Sequence, residues 1–192
     1  MISASIQVAD AVTPELQRLA MQLANPVALY KDVGRRVAND LKKHFRQHDS
    51  DTPNKLGGAR THFWLEIRDA VQQPVATGTG VEIAINDARF AGKVYGAHIV
   101  PREAGALTIP INQLAYGRRA SVFESETGHK LFRPKGHNVL MAEIGGEEVP
   151  IYALVQAVDV PADPQALPAT AVLVDAILDT GRKHLARMLA RG

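Results

Sequence analysis

The stretch from Val149 to Arg191 constrains this chain more than any other, because it changes period once and sharply. Residues 149–160 (VPIYALVQAVDV) are β-branched and apolar as a strand requires, and Pro161 and Asp163-Pro164 stop it. A helical pattern then runs over 168–190. Ala169, Val172, Leu173, Ala176, Ile177, Leu185, Met188 and Leu189 fall close to the i, i+3, i+4, i+7 spacing of one apolar face, which needs a partner surface. Pro168 suits the first turn, where its missing N–H has no intrahelical acceptor to lose. Lys183, Arg187 and Arg191 stand toward the far end, where cations complement the helix dipole. The pattern predicts an α+β fold: an antiparallel or mixed β-sheet packed by a long C-terminal helix and by N-terminal helices.

The first part of the chain, 1–72, reads as mainly helical. Ser3 to Ala9 fits a short edge strand, and Thr13-Pro14-Glu15 is a helix start feeding Leu16, Leu19, Ala20 and Leu23. Asn25-Pro26 repeats that signal and opens a longer helix, 26–48, with Leu29, Val33, Val37, Leu41 and Phe45 every four residues. Its other faces carry Lys31, Arg35, Arg36, Lys42, Lys43 and Arg46 against Asp32 and Asp40. A solvated helix face explains such a distribution without any ligand. Turn formers crowd 47–60, which predicts a loop. Thr61 then caps a helix to about Val71, with Phe63, Trp64 and Ile67 at helical spacing.

The sheet is expected over 75–160. Val81 to Ile85 alternates as a half-buried strand, Asn86-Asp87 reads as a turn, and Ala88 to Ile99 as a returning, glycine-interrupted strand. Leu107, Ile109 and Ile111 alternate again, and Pro110 marks an edge or a strand end. Asn138 to Ile144, Gly145-Gly146 and Glu147 to Val158 spell a hairpin. Between them, 112–137 reads as a long irregular excursion and a candidate contact surface, rich in Arg118, Arg119, Lys130, Arg133 and Lys135. The whole chain is expected to form one domain with two mobile excursions, 47–60 and 112–137.

Chemistry is thinly signalled. The chain has no cysteine, which removes disulfides, thiolate catalysis and cysteine-ligated metal sites. His44 and His48 share a helix face, with Asp49 and Asp51 just beyond. The metalloprotease pattern, however, needs Glu directly after the first histidine, where Phe45 stands. Gly78-Thr79-Gly80 precedes a strand instead of joining strand to helix, so it lacks the context of a phosphate cradle. No catalytic residue, cofactor or metal ligand is therefore expected. A net charge of only +2 argues against a whole-molecule nucleic-acid binder, and any basic surface has to be local. No apolar run reaches the length of a membrane span, and Met1-Ile2-Ser3 lacks the basic start of a signal peptide, so a cytoplasmic protein is expected.

Three stretches carry a likeness to a known family. ISASIQVADAVTPELQRLAMQL followed by NPVALYKDVGRRVANDLKKHF, then DTPNKLGGARTHFW, then VPIYALVQAVDVPADPQALP with AVLVDAILDTGRKHLARMLARG together resemble the tailed-bacteriophage virion morphogenesis family of tail-completion and head-tail joining proteins. The resemblance implies a structural protein without turnover. It implies a homo-oligomeric ring, often six-fold, at the neck of the virion, contacting the tail tube protein and the head connector or stopper proteins, with assembly in the host cytoplasm. A ring subunit needs two different complementary surfaces, and Arg35, Arg36, Arg118, Arg119, Arg133 and Lys135 are the residues expected at subunit or neighbour contacts. Two other classes compete: a small nucleic-acid-binding protein using the basic helix 26–48 with Arg118-Arg119, and a metal-dependent hydrolase built on His44 and His48.

Overall fold

The chain alternates helices with short antiparallel strands in a computed structural model that describes residues 25–52, 56–57 and 60–190. The strand expected at Ser3–Ala9, the helix opened by Thr13-Pro14, and Arg191 lie outside the described residues. The fold is α+β, as the sequence predicts, with antiparallel sheets and a C-terminal helix. No helix among the described residues is long and apolar enough to cross a membrane. Of the described residues, one compact unit takes 25–42, 71–85 and 168–190, and a second takes 43–52, 56–57, 60–70 and 86–167.

The first unit is built from the leading turns of α1 (Val27–Asp51), the hairpin β1 (Val75–Ala76) and β2 (Val81–Glu82), and the last helix of the chain. Val33, Gly34, Ala38 and Leu41 are the buried residues of this part of α1. Gly34 allows the hairpin its close approach: a Cβ there would stand 2.6 Å from Val81 Cγ2 and 2.7 Å from Pro74 Cβ. The alternation over 81–85 is real, since Val81, Ile83 and Ile85 are half-buried while Glu82 and Ala84 are exposed. Only its ends are paired, by the β1–β2 ladder and by a bridge between Val71 and Ile85.

The second unit holds the longer sheet. Its strands are β4 (Leu107–Pro110), β5 (Leu131–Phe132), β6 (Val139–Ile144) and β7 (Glu147–Val155), in the order β4-β7-β6-β5. The β6–β7 hairpin turns at Gly145-Gly146, as expected, with φ of 63° and 88°. Both central residues thus occupy the left-handed region that a tight hairpin demands. Pro150 is tolerated within β7 because β4 pairs only with Tyr152 to Val155, leaving Pro150 a neighbour on the β6 side alone. A separate pair joins β3 (Ala97–Ile99) to β8 (Val158–Val160).

Several expectations need correction. Ala88–Tyr95 is a helix, α3, and not a strand: Asp87 is its N-cap, its Oδ1 accepting from the Arg89 N–H at 2.8 Å. The run 149–160 breaks at Gln156-Ala157 into β7 and β8, because its two halves pair with different partners. Helix α1 runs on through Gln47 to Asp51, supported by an i, i+4 bond from Gln47 to Asp51. Pro168 precedes the last helix, α5 (Thr170–Leu189), whose N-cap is Ala169.

The segment 112–137 is also not an irregular excursion. It contains a 3-10 turn (Gln113–Ala115), the helix α4 (Ala120–Thr127) and β5. Ala115 and Phe123 are fully buried with Ala142, Ile151 and Tyr152, and the Phe123 and Tyr152 rings meet edge to face at 6.1 Å. The Tyr152 hydroxyl donates to the Arg118 carbonyl at 3.1 Å, tying the segment to the sheet, and burial pushes the Tyr152 phenol up from its ordinary pKa. A second core joins Phe45, Trp64, Ile67 and Phe90 from α1, α2 (Phe63–Ala70) and α3, with Phe45 against Phe90 at 5.5 Å.

Candidate functional site

The six cations expected at contacts take different roles. In the first unit Arg35 bonds Asp32, and Arg36 Nε bonds Asp40 at 2.8 Å, so both acids of the basic helix face are engaged by arginines of that face. The pairing holds Arg36 above its ordinary pKa. In the second unit Arg133 donates to the His137 carbonyl and to Asn138 Oδ1, both at 2.8 Å, and so closes its own turn. Arg119 occupies the N-cap position of α4 without a side-chain capping bond, and its side chain and Lys135 are exposed. Arg118 stands apart from these. Its Nε donates to Glu126 at 2.7 Å and its Nη1 to the Leu114 carbonyl at 2.6 Å, which pins it to the wall of a hollow.

That hollow has a volume of about 560 Å³ and lies wholly within the second unit. Arg60, Thr61, Leu114, Arg118, Val122 and Glu126 form much of its wall. Gly117 fits beneath it with φ of 76°, a left-handed turn in which a Cβ would also strike Thr61 Cγ2 at 2.7 Å. Leu114 and Val122 are 43% and 37% exposed, so apolar surface stands open beside two guanidinium groups. Arg60 is itself anchored, Nη1 donating to the Asp49 carbonyl at 3.1 Å. The result is a concave, mixed apolar and cationic surface whose charged groups are already oriented. Such a mixture is typical of protein contacts.

The histidines that suggested a metal are used otherwise. His44 Nε2 bonds the Gln165 carbonyl at 2.8 Å and His48 Nε2 bonds Asp163 Oδ2 at 3.3 Å, so the pair fastens the turn that follows β8. His48 also lies against Trp64, ring centres 4.3 Å apart. Asp49 is buried and accepts from His62 Nδ1 at 2.9 Å. Among the described residues no group of three His, Asp or Glu side chains could hold a metal ion.

Two charged clusters hold elements together. Asp32 on α1 accepts from His184 Nδ1 at 2.9 Å and Arg187 at 2.7 Å on α5, as well as from Arg35. The His184 bond first, and then the two arginines against the opposing effect of burial, draw its pKa down to about 2. In the second unit Arg89 bridges Asp87 and Glu66 over the Phe63 ring, and these carboxylates hold its pKa above the ordinary arginine value.

The apolar face of α5 is only partly covered, against the expectation that it is buried. Ala176 is its one buried residue, and Leu173, Thr180, His184 and Met188 are half-buried along the same side. Val172, Ile177, Leu185 and Leu189 are exposed, as are Val174 and Leu178. Charge and loop length single out Arg118, which lines the hollow. Leu114, Val122 and Glu126 lie in the expected contact surface 112–137 but are not singled out, and Arg60, in the expected loop 47–60, joins them only by convergence in space.

No family model matches the chain, and neither do the curated proteins or the solved structures compared with it.

Proposed function

We propose that this chain is a structural subunit of a tailed-bacteriophage virion, a tail-completion or terminator protein that assembles as a ring at the neck. In this reading it ends the tail tube and offers the surface on which the head connector docks. The observation that carries it is the hollow around Arg118, where open Leu114 and Val122 stand beside pre-oriented guanidinium groups. A head-to-tail ring needs one socket and one complementary projection per subunit, and this hollow has the chemistry of the socket. The residue patterns of the three resembling stretches support the same reading.

The test is the double reversal Arg118→Glu with Arg119→Glu. Both side chains are exposed, and the Arg118–Glu126 pair is a surface ion pair worth under about 1 kcal/mol, so the subunit stays folded by circular dichroism. Assembled particles are expected to fall while unjoined heads and tails accumulate in electron micrographs. A normal particle yield refutes the role of this surface.

A further inference from the structure

The exposed side of α5 has a regularity of its own. Val174, Leu178, Gly181 and Leu185 follow one another at spacings of four, three and four residues, the a/d rhythm of a two-helix seam. Val174 is 45%, Leu178 51% and Leu185 42% exposed, so an apolar line about 17 Å long stands uncovered. At its middle, a Cβ on Gly181 would meet nothing within 4 Å, which leaves room for a second backbone to come close.

Charge supplies the direction. Asp175 and Arg182 flank this line on one side, seven residues apart and hence two turns along the helix. Neither makes an ion pair within 4 Å among the described residues, although Arg182 is near enough to Asp179 to help lower its pKa, whereas Asp179 holds Lys183 and Arg187 holds Asp32. Acidic Asp175 and Asp179 occupy the first half of the helix, and basic Arg182, Lys183 and Arg187 the second. A parallel neighbour of the same sequence would group like charges, and an antiparallel one would set unlike charges together.

We propose that this line is a docking surface for α5 of a second copy of the chain, the two helices running antiparallel about a two-fold axis. Val174 then lies across from the partner's Leu185, Leu178 across from the partner's Gly181, and Asp175 beside the partner's Arg182, each contact made twice. Antiparallel helix dipoles also favour this direction. The seam is short, so its contact falls well below the roughly 800 Å² per partner of a stable complex, and the pairing is weak and concentration-dependent. Because it is isologous it is separate from the head-to-tail contact of a ring, and it stands or falls independently of the function proposed above.

The chain has no cysteine, so single replacements report cleanly. Val174→Cys and Leu185→Cys chains, mixed and oxidised at about 1 mM, where even weak self-association is populated, are expected to give the mixed disulfide in preference to Val174→Cys joined to itself. Sedimentation of the unmodified chain is expected to show a monomer–dimer equilibrium. Asp175→Arg or Arg182→Asp alone raises its Kd roughly tenfold, and the double swap restores it. Three results would overturn the proposal: a Val174→Cys self-disulfide as the main product, a strict monomer with no cross-link, or no rescue by the double swap.

Discussion

Replacing Phe123 by Ala decides whether 112–137 is a loop or part of the core. Phe123 is 0% exposed and packs edge to face on Tyr152, itself 0% exposed, within a cluster that includes Ala115, Ala142 and Ile151. Removing a fully buried ring costs about 3–5 kcal/mol through lost burial and the cavity left behind. Against a total stability of about 5–15 kcal/mol, that weakens the unit without unfolding it in water. Trp64, the single tryptophan, belongs to the same unit and reports its unfolding by fluorescence. In urea, a loss of about 4 kcal/mol over a slope of about 2 kcal/mol/M lowers the midpoint by about 2 M, with the slope unchanged. Tyr152→Phe keeps the ring and removes only the hydroxyl that donates to the Arg118 carbonyl, so it should cost about 1 kcal/mol. A midpoint shift under about 0.5 M for Phe123→Ala would mean that α4 is not packed on the sheet.

Two further outcomes follow from the first unit. Asp32 titrates at about 2 in the fold against 3.8 unperturbed, so its contribution is complete above 3.8 and is lost as pH falls toward about 2. Since Arg35 and Arg187 are 72% and 58% exposed, screening reduces that contribution to about 1 kcal/mol, and Asp32→Asn should erase this step from the acid limb of a stability–pH curve. An Asp32→Asn curve with the same acid limb as the unaltered protein would remove the argument. The glycines of the two long helices should respond with opposite sign to alanine. Gly34→Ala places a methyl 2.6 Å from Val81 and should destabilise despite better helix propensity, while Gly181→Ala meets open space and should stabilise by about 1 kcal/mol in thermal melts of dilute protein.

Legibility divided along a physical line. Helix α1 was readable because Asn25-Pro26 and apolar residues every four positions are local signals, and the β6–β7 hairpin because Gly145-Gly146 can adopt the backbone its turn needs. Helix α3 was misread although its signal was present: Asp87 caps it, but Ala88 to Ile99 also fits an interrupted strand when the cap is taken for a turn. The segment holding Ala115 and Phe123 was unreadable for a different reason. Its elements are too short to show a period, and their burial depends on Ile151 and Tyr152 of a distant strand. The hollow shows the same limit, since Arg60 and Thr61 meet Arg118, Val122 and Glu126 only through the fold.

The last helix separates what the two levels decide. The sequence alone determined a helix with apolar surface over 168–190, which the structure trims to Thr170–Leu189, because backbone hydrogen bonding and side-chain periodicity are set within a few residues. Which part of that surface is covered was decided only in three dimensions. His184 and Arg187 reach Asp32 of α1, Ala176 is buried, and Val174, Leu178 and Leu185 are left open. Burial is a property of two surfaces meeting, and one stretch of sequence describes only one of them.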